Sequence, residues 1–370
     1  MSDSRNWFKS IPPKRRRKLL SSQRRGHSIE VDGKQMVNFA SNDYLGLATH
    51  PNLCDVAVQE IKAHGLGSGA SRLISGDDPL LHRLEHELAA WKGFEACLII
   101  GSGMLTNIGL LQALANRHTH LFADRLNHAS LVDGARLSEG NTHRFNHLDM
   151  NQLEQMLRKH HADQRIIVSD GVFSMDGDVA DLTVLIELAE QEDALLLIDD
   201  AHGTGVVGNQ GRGLTDAAGV AGHDRLIETG TFGKAFGCYG AFILGTAEMI
   251  EGLRQRMRTL IYSTALPAAL PAAALEALKL IRQGDVVRQL QSNLSLFKQE
   301  AAGLPLMPSE TPIQPLLAGS DVDALKMSKQ LKHAGFFVSA IRPPTVPEGT
   351  SRLRITLSAA HSEEQIHQLV

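Results

Sequence analysis

Residues 194–202 read ALLLIDDAH. Five apolar residues in a row, too few for a helix, predict a strand buried on both faces, which is the kind found in a parallel sheet covered by helices. Two carboxylates and a histidine follow at its carboxyl end. An ionised carboxylate at the end of such a strand is costly unless something cationic meets it. Asp199 is therefore either half of a buried ion pair, a helix cap, or the contact for a cationic ligand.

The same texture continues on both sides. ACLIIGSG (96–103), HLFADR (120–125), RIIVSDGVF (165–173), RLIETGTF (225–232) and GAFILG (240–245) read as further strands. Between them NQLEQMLRKH (151–160) and DLTVLIELAEQED (181–193) carry apolar residues at helical spacing, with Asn151 and Asp181 as N-caps. Alternation of strand and helix predicts an α/β sheet. After residue 245 a long helical stretch from about 265 to 300 leads into a smaller α+β unit, with strands near 314–319, 336–341 and 352–357 and a helix over 322–335.

Composition narrows the function classes. The chain has 370 residues, 43% hydrophobic and 21% charged, with a net charge of −4, so nothing draws the whole molecule to nucleic acid or to an anionic membrane. Cys54, Cys97 and Cys238 form no CxxC pair, which suits a reducing compartment. The N-terminus lacks a signal-peptide core and no run approaches a membrane span, so a cytoplasmic location is expected.

In open α/β sheets ligands bind beyond the carboxyl ends of the strands. The residues there are GSG (101–103), NH (127–128), SMDGD (174–178), DDAH (199–202) and TFGK (231–234). Three matches to general motifs are discounted. HRLEH (82–86) resembles a zinc-peptidase helix, but Leu81, Leu84, Leu88 and Trp91 make the buried stripe of an ordinary surface helix, and no metal site is expected. GTGVVG (203–208) matches a dinucleotide fingerprint without the helix that fingerprint requires. KRRRK (14–18) stands alone on an acidic chain and reads as a solvated face or a contact to a small anion.

The combination that remains is Asp199, His202 and Lys234. GTFGKAFG (230–237) sets Lys234 among glycine, alanine and phenylalanine, surroundings that lower a lysine pKa and keep its amine nucleophilic. A lysine forming a Schiff base and a carboxylate facing a pyridinium nitrogen are the two requirements of pyridoxal-phosphate chemistry. The GSG turn before a helix offers backbone N–H groups to a phosphate, Thr231 offers a hydroxyl, and His128 is placed to stack on the ring.

At these residues the chain resembles the α-oxoamine synthases, fold-type I pyridoxal-phosphate enzymes that condense an amino acid with an acyl thioester and release CO2. The resemblance runs through SNDYLGL (41–47), GLGSGASRLISG (65–76), DRLNHASLVDGARLS (124–138), DGVFSMDGD (170–178), DDAHGTGVVGNQGRG (199–213), TFGKAFG (231–237) and IYSTALP (261–267). It implies a large, mostly parallel-sheet domain with a smaller α+β C-terminal domain. The boundaries expected are an N-terminal arm and small-domain segment over 1–40, the cofactor-binding domain over 41–265, and a linker helix with the small domain over 266–370.

The resemblance also implies roles. Lys234 would carry the Schiff base, Asp199 would face the pyridinium, His202 would donate to the ring hydroxyl with Ser174 beside it, and His128 would stack on the ring. Gly103, Met104 and Thr231 would surround the phosphate of pyridoxal 5'-phosphate, with Ser263 or Thr264 reaching it from the other subunit of a homodimer. Arg354 would clamp the amino-acid carboxylate, Asn42 and Thr345 would line the substrate side, and Arg16, with Arg17 as the alternative register, would meet the acyl substrate. Met104 departs from the aromatic common at its position. Within the family, IRPPTVPEGTSRLRITLSAAH (341–361) is most similar to the members that join L-alanine to a pimeloyl thioester, carried by CoA or an acyl carrier protein, in biotin synthesis. Members that use glycine differ at Arg342-Pro343 or across PPTVP (343–347).

Overall fold

The strand Leu195–Asp199 lies near the middle of a seven-stranded sheet. From one edge to the other the order is Ala96–Ile100, Ala241–Gly245, Leu226–Thr231, Leu195–Asp199, Gln164–Asp170, Thr119–Asp124 and Asn141–Phe145. The structure, a computed structural model, describes residues 19–370. Arg16, Arg17 and the basic run 14–18 lie outside those residues.

All six expected strands of this sheet are present, and the seventh, Asn141–Phe145, escapes a reading by apolar runs. Its sequence NTHRF buries only Phe145, because it is an edge strand with one neighbour, Thr119–Asp124. Neighbours are parallel except around Ala241–Gly245, which is antiparallel to both Leu226–Thr231 and Ala96–Ile100. The cause is the short connection 232–240, since a parallel return needs a crossover of roughly a dozen residues or more. Lys234 therefore sits in a β-hairpin connection.

Strand residues alternate between two buried layers. Ile166, Val168, Leu197, Ile227 and Ile243 pack with Leu110, Leu111 and Leu131 on one side. Ile167, Leu196, Ile198, Phe242 and Leu244 pack with Leu81, Leu185 and Trp91 on the other. Helices thus cover both faces, leaving the strand ends as the place where polar groups meet.

Asp181 caps its helix by accepting from Val184 N–H. The cap expected at Asn151 falls instead on Asp149, whose Oδ1 accepts from Gln152 N–H at 2.9 Å. Asp149 precedes the first helical residue, whereas Asn151 is already inside the first turn. The helical stretch after 265 is two helices, Ala269–Gln283 and Asp285–Glu300, broken at Gly284 with φ +83°.

The C-terminal strands divide between two further sheets. Ile313–Gly319, Ser351–Thr356 and Ser339–Ile341 form one antiparallel sheet. Phe336–Phe337 pairs in parallel with Lys34–Asn38, joining the N-terminal strands Ser22–Arg25 and Ser28–Val31. Arg354 on Ser351–Thr356 is thereby brought against Asn42 and against the loop after Gln164–Asp170. Among the described residues no helix is long and apolar enough to cross a membrane.

Candidate active site

The site forms where four parallel strands end and the hairpin connection 232–240 turns. Asp199 is 8% exposed and lies in register with Asp170 on the neighbouring strand. Its contacts are neutral donors: Asn107 Nδ2 donates to Oδ2 at 2.6 Å and Ala201 N–H to Oδ1 at 3.0 Å. The other aspartate of the pair, Asp200, is taken up on the far side by Lys92, whose Nζ lies 3.3 Å from its Oδ2. Only Asp199 remains for a ligand.

Lys234 follows from the packing of its loop. Phe232, Ala235 and Phe236 are buried, with the two phenylalanine rings edge to face at 5.4 Å, so the backbone on either side of the lysine is anchored in the core. Burial, with the Arg354 guanidinium acting in the same direction, lowers the amine to a pKa of about 8 against the opposing pull of Asp199 and Asp170. Two glycines of this stretch are required by the packing of the protein itself. Gly230 stands against the Phe242 ring, where a Cβ would lie 2.2 Å from Cζ, and at Gly237, with φ +62°, a Cβ would lie 2.2 Å from the Ala48 backbone nitrogen. Both make room for protein.

Gly103 opens the helix Gly103–Leu114, whose N-cap Ser102 accepts from Leu105 N–H. A Cβ on Gly103 would lie 4.0 Å from Thr231 Cβ, so the helix start and Thr231 adjoin. The Thr231 hydroxyl donates to Gly240 O at 2.9 Å and accepts from Gly233 N–H, so it braces the hairpin here. Met104 is exposed beside it.

His128 is oriented by a chain of hydrogen bonds. Its Nδ1 lies 2.7 Å from Ser130 Oγ, which accepts from Asn107 Nδ2 at 2.8 Å, and Asn107 Oδ1 accepts from Thr229 Oγ1 at 3.0 Å. Because the Ser130 backbone N–H donates to Nδ1 at 3.2 Å, Nδ1 is an acceptor, the Ser130 hydroxyl proton also points to it, and the His128 proton lies on Nε2. Burial, with the Lys234 charge also opposing protonation against the pull of Asp199, lowers the His128 pKa. Its backbone N–H donates to Asp170 Oδ2 at 2.5 Å. Asp170 itself is pushed well above the usual carboxylate range by burial and by Asp199.

His202 is buried and lies with Nδ1 2.6 Å from the Tyr44 hydroxyl. Burial and the positive charges of Lys234 and Arg354 push it well below the usual histidine range. A neutral ring accepting at Nδ1 from Tyr44 presents its N–H at Nε2. Ser174 contributes its carbonyl, which accepts from Arg354 Nε at 2.5 Å.

Two arginines point from one face of Ser351–Thr356, and their partners separate them. Arg352 is ion-paired with Asp176. Arg354, 6% exposed, donates Nη1 to Asn42 Oδ1 at 3.1 Å and to Thr356 Oγ1 at 3.0 Å, and among the described residues it has no carboxylate partner. A buried guanidinium held by neutral acceptors favours an anion from outside. Thr345 is exposed on the loop before this strand, and no described side-chain contact joins it to the other candidates.

Sequence reading missed Asn107, Tyr44, Ser130 and Asp170. Tyr44 lay within the block SNDYLGL and Asp170 opened DGVFSMDGD, but neither spacing nor residue type indicated what they would touch.

The competing motifs are accounted for. In HRLEH, Glu85 turns inward to Arg72 and to the Ile99 N–H, while His82 bonds Asp77 at 2.7 Å at the surface. GTGVVG forms turns, and Glu228, the downstream acid that a dinucleotide fingerprint would turn to a ribose, is buried against Lys92 and Thr215.

These residues fit pyridoxal 5'-phosphate. A buried carboxylate and a buried guanidinium, both without an ionic partner among the described residues, flank a lysine with a lowered pKa, and the start of a helix supplies N–H groups to a phosphate. Residues 34–370 match the family model for aminotransferases of class I and II. The chain is 46% identical to an 8-amino-7-oxononanoate synthase of Saccharophagus degradans over 96% of its length and 90% of the relative's. A solved 8-amino-7-oxononanoate synthase of Francisella tularensis superposes with a TM-score of 0.79 at 29% identity, covering 90% of this chain and 95% of that one. The high-resolution structure of SPT with PLP as internal aldimine superposes with a TM-score of 0.90 at 26% identity, covering 95% and 89%. The chain belongs to the 8-amino-7-oxononanoate synthase family, pyridoxal-phosphate-dependent acyltransferases built on the fold-type I transferase fold.

Proposed function

We propose that the chain condenses L-alanine with a pimeloyl thioester, of CoA or of an acyl carrier protein, to give 8-amino-7-oxononanoate, CO2 and the free thiol. In this reaction a bond forms between the alanine Cα and the thioester carbonyl carbon. The C–S bond breaks with protonation of the sulfur, and the alanine carboxylate leaves as CO2. The structural observation that supports an amino-acid substrate is Arg354, a buried cation held by Asn42, Thr356 and the Ser174 carbonyl without a counter-ion among the described residues. The choice of alanine and a pimeloyl chain follows the names of the relatives.

The cofactor, when bound, supplies an electron sink for the pair left at Cα. The remaining tasks fall to side chains of this protein. Arg354 binds the substrate carboxylate and orients the amino acid. The Lys234 amine, whose pKa of about 8 leaves a fraction of it uncharged at neutral pH, takes the proton from Cα and returns it to the product. Asp199, locked by Asn107, holds a cation against its carboxylate, and His202 offers an N–H from Nε2. His128 presents a flat neutral ring, and Gly103, Met104 and Thr231 border the phosphate. Asn42 and Thr345 would line the substrate side, and Arg16 or Arg17 would meet the acyl group.

Active sites shared between two copies of the chain are part of this reading, in a cytoplasmic setting. Leu73, Ile74 and Tyr262 are strongly exposed, and their segments are tied together by the Ala265 N–H donating to Ala70 O at 2.9 Å. Covering this apolar surface with a second copy would bring Ser263 or Thr264 toward the neighbouring phosphate.

The test measures thiol release with alanine, glycine and serine against pimeloyl, acetyl and succinyl thioesters. Alanine with the pimeloyl thioester is expected to exceed all other pairs, and Arg354→Ala should raise the alanine KM far more than the thioester KM. A preference for glycine with acetyl-CoA would replace this reading with that of a 2-amino-3-ketobutyrate ligase.

A further inference from the structure

Three imidazoles meet at the other end of the sheet from Asp199 and Lys234. His120 lies near the start of Thr119–Asp124, His143 lies in the edge strand Asn141–Phe145, and His160 caps the C-terminal end of the helix Met150–Lys159. Strand register places His143 opposite Phe122, and His120, two residues before Phe122, projects from the same face. The helix end brings His160 over that face. The His143 ring stacks with Phe122 at 5.3 Å and with His160 at 4.0 Å.

One ring nitrogen from each histidine lies within 4.8 Å of the other two. His143 Nε2 and His120 Nδ1 are 3.2 Å apart. A tetrahedral zinc ion with Zn–N bonds of about 2.0–2.1 Å holds its ligand nitrogens roughly 3.3 Å apart, so this pair already has the required separation. His160 is held by its backbone N–H to Met156 O at 3.0 Å, and to ligate the same ion its ring has to turn off the face of His143, a side-chain rotation that leaves the helix end intact.

The geometry points to a divalent transition-metal site formed by His120, His143 and His160, with zinc as the matching ion and water in the fourth position. The ligand set is three imidazoles without a carboxylate or thiolate, which suits zinc, nickel, cobalt or copper and disfavours magnesium and calcium. The site lies apart from the catalytic groups and does not depend on the function proposed above. A metal here would join the central sheet's polar edge strand to its inner neighbour and to the helix that follows. Such an edge has unpaired backbone groups, so fixing it opposes both fraying and pairing with another chain. Binding only to the folded chain would stabilise it by mass action.

The test uses the holoenzyme, stripped of metal with a chelator and titrated with zinc chloride in a calorimeter. One equivalent per chain is expected to bind, with a rise in the thermal midpoint. His143→Gln should weaken binding by at least about tenfold, as loss of a metal-supporting contact does. Because His143 packs against two rings, His160→Asn at the helix end is the second variant, and it should lose the metal-dependent rise while keeping the metal-free midpoint. Cobalt bound in place of zinc should give the visible bands of a tetrahedral site, absent in both variants. Both variants should keep the absorbance of the bound cofactor. Failure of the wild type to bind a stoichiometric equivalent, or equal binding by both variants, would overturn the assignment and leave a stacked histidine cluster.

Discussion

Asn107 donates to Asp199 at 2.6 Å from inside a helix, and its second Nδ2 proton goes to Ser130, the residue that orients His128. One buried amide thus fixes both the carboxylate and the imidazole of the site. Asn107→Leu would leave Thr229, Ser130 and Asp199 each short of a partner, at a cost of about 1–3 kcal/mol for an unsatisfied buried group. Urea denaturation should show a loss of that order, and titration of the cofactor-free variant should show weaker pyridoxal phosphate binding. A folded Asn107→Leu protein with wild-type cofactor affinity would mean that Asp199 is positioned without Asn107.

The lowered pKa of Lys234, about 8, makes a prediction about cofactor uptake. Only the neutral amine attacks an aldehyde, and the neutral form predominates above the pKa. Uptake by the cofactor-free protein, followed by absorbance, should therefore rise as pH increases through about 8 and level off above it. Asp199 favours the charged amine, so Asp199→Asn should move this midpoint to lower pH. A midpoint near the ordinary lysine value would show that burial does not govern this amine.

Much of the central sheet was legible because its strands are short continuous apolar runs bounded by polar residues, the pattern of a strand buried on both faces. The strand NTHRF was not legible, since an edge strand buries too little to impose a pattern. For the site, the positions of Asp199, His202 and Lys234 followed from strand ends. Their settings did not: which aspartate of DDAH faces the ligand depends on Lys92, far away in sequence, and Lys92 looks like any lysine at the end of a surface helix. Asn107 and Tyr44 act through contacts across 92 and 158 residues of chain, which no local spacing encodes.

Lys92 gives the third prediction. Its ammonium is fully buried between Asp200 and Glu228, with Nζ 2.5 Å from Glu228 Oε1 and 3.2 Å from Thr204 Oγ1. Burial favours its neutral form, but the two carboxylates outweigh that and raise its pKa. Lys92→Met keeps the volume and leaves two buried acids uncompensated, a change that typically costs about 3–5 kcal/mol. Chemical denaturation should show a loss of this size, and Glu228→Gln added to Lys92→Met should recover part of it. No recovery would mean that Asp200 carries the whole penalty.

His147 supplies a dependence on pH. Its Nδ1 lies 3.0 Å from Asp124 Oδ1 and its Nε2 2.7 Å from Asp178 Oδ2, joining a strand end to the loop that carries Ser174 and Asp176. Burial disfavours its charge, yet the two carboxylates prevail and raise the pKa from 6.5 to about 10. A group that holds its proton more tightly when folded stabilises fully below its unfolded pKa, and that stability is lost as pH rises through the folded value. The stability difference between wild type and His147→Gln should thus be greatest near pH 6.5 and shrink steadily toward pH 10, as read from urea midpoints across that range. The partial exposure of the ion pairs means that added salt should reduce the difference as well. A difference that stayed constant with pH would assign His147 to packing, through its edge-on contact with Phe173 at 4.4 Å, rather than to charge.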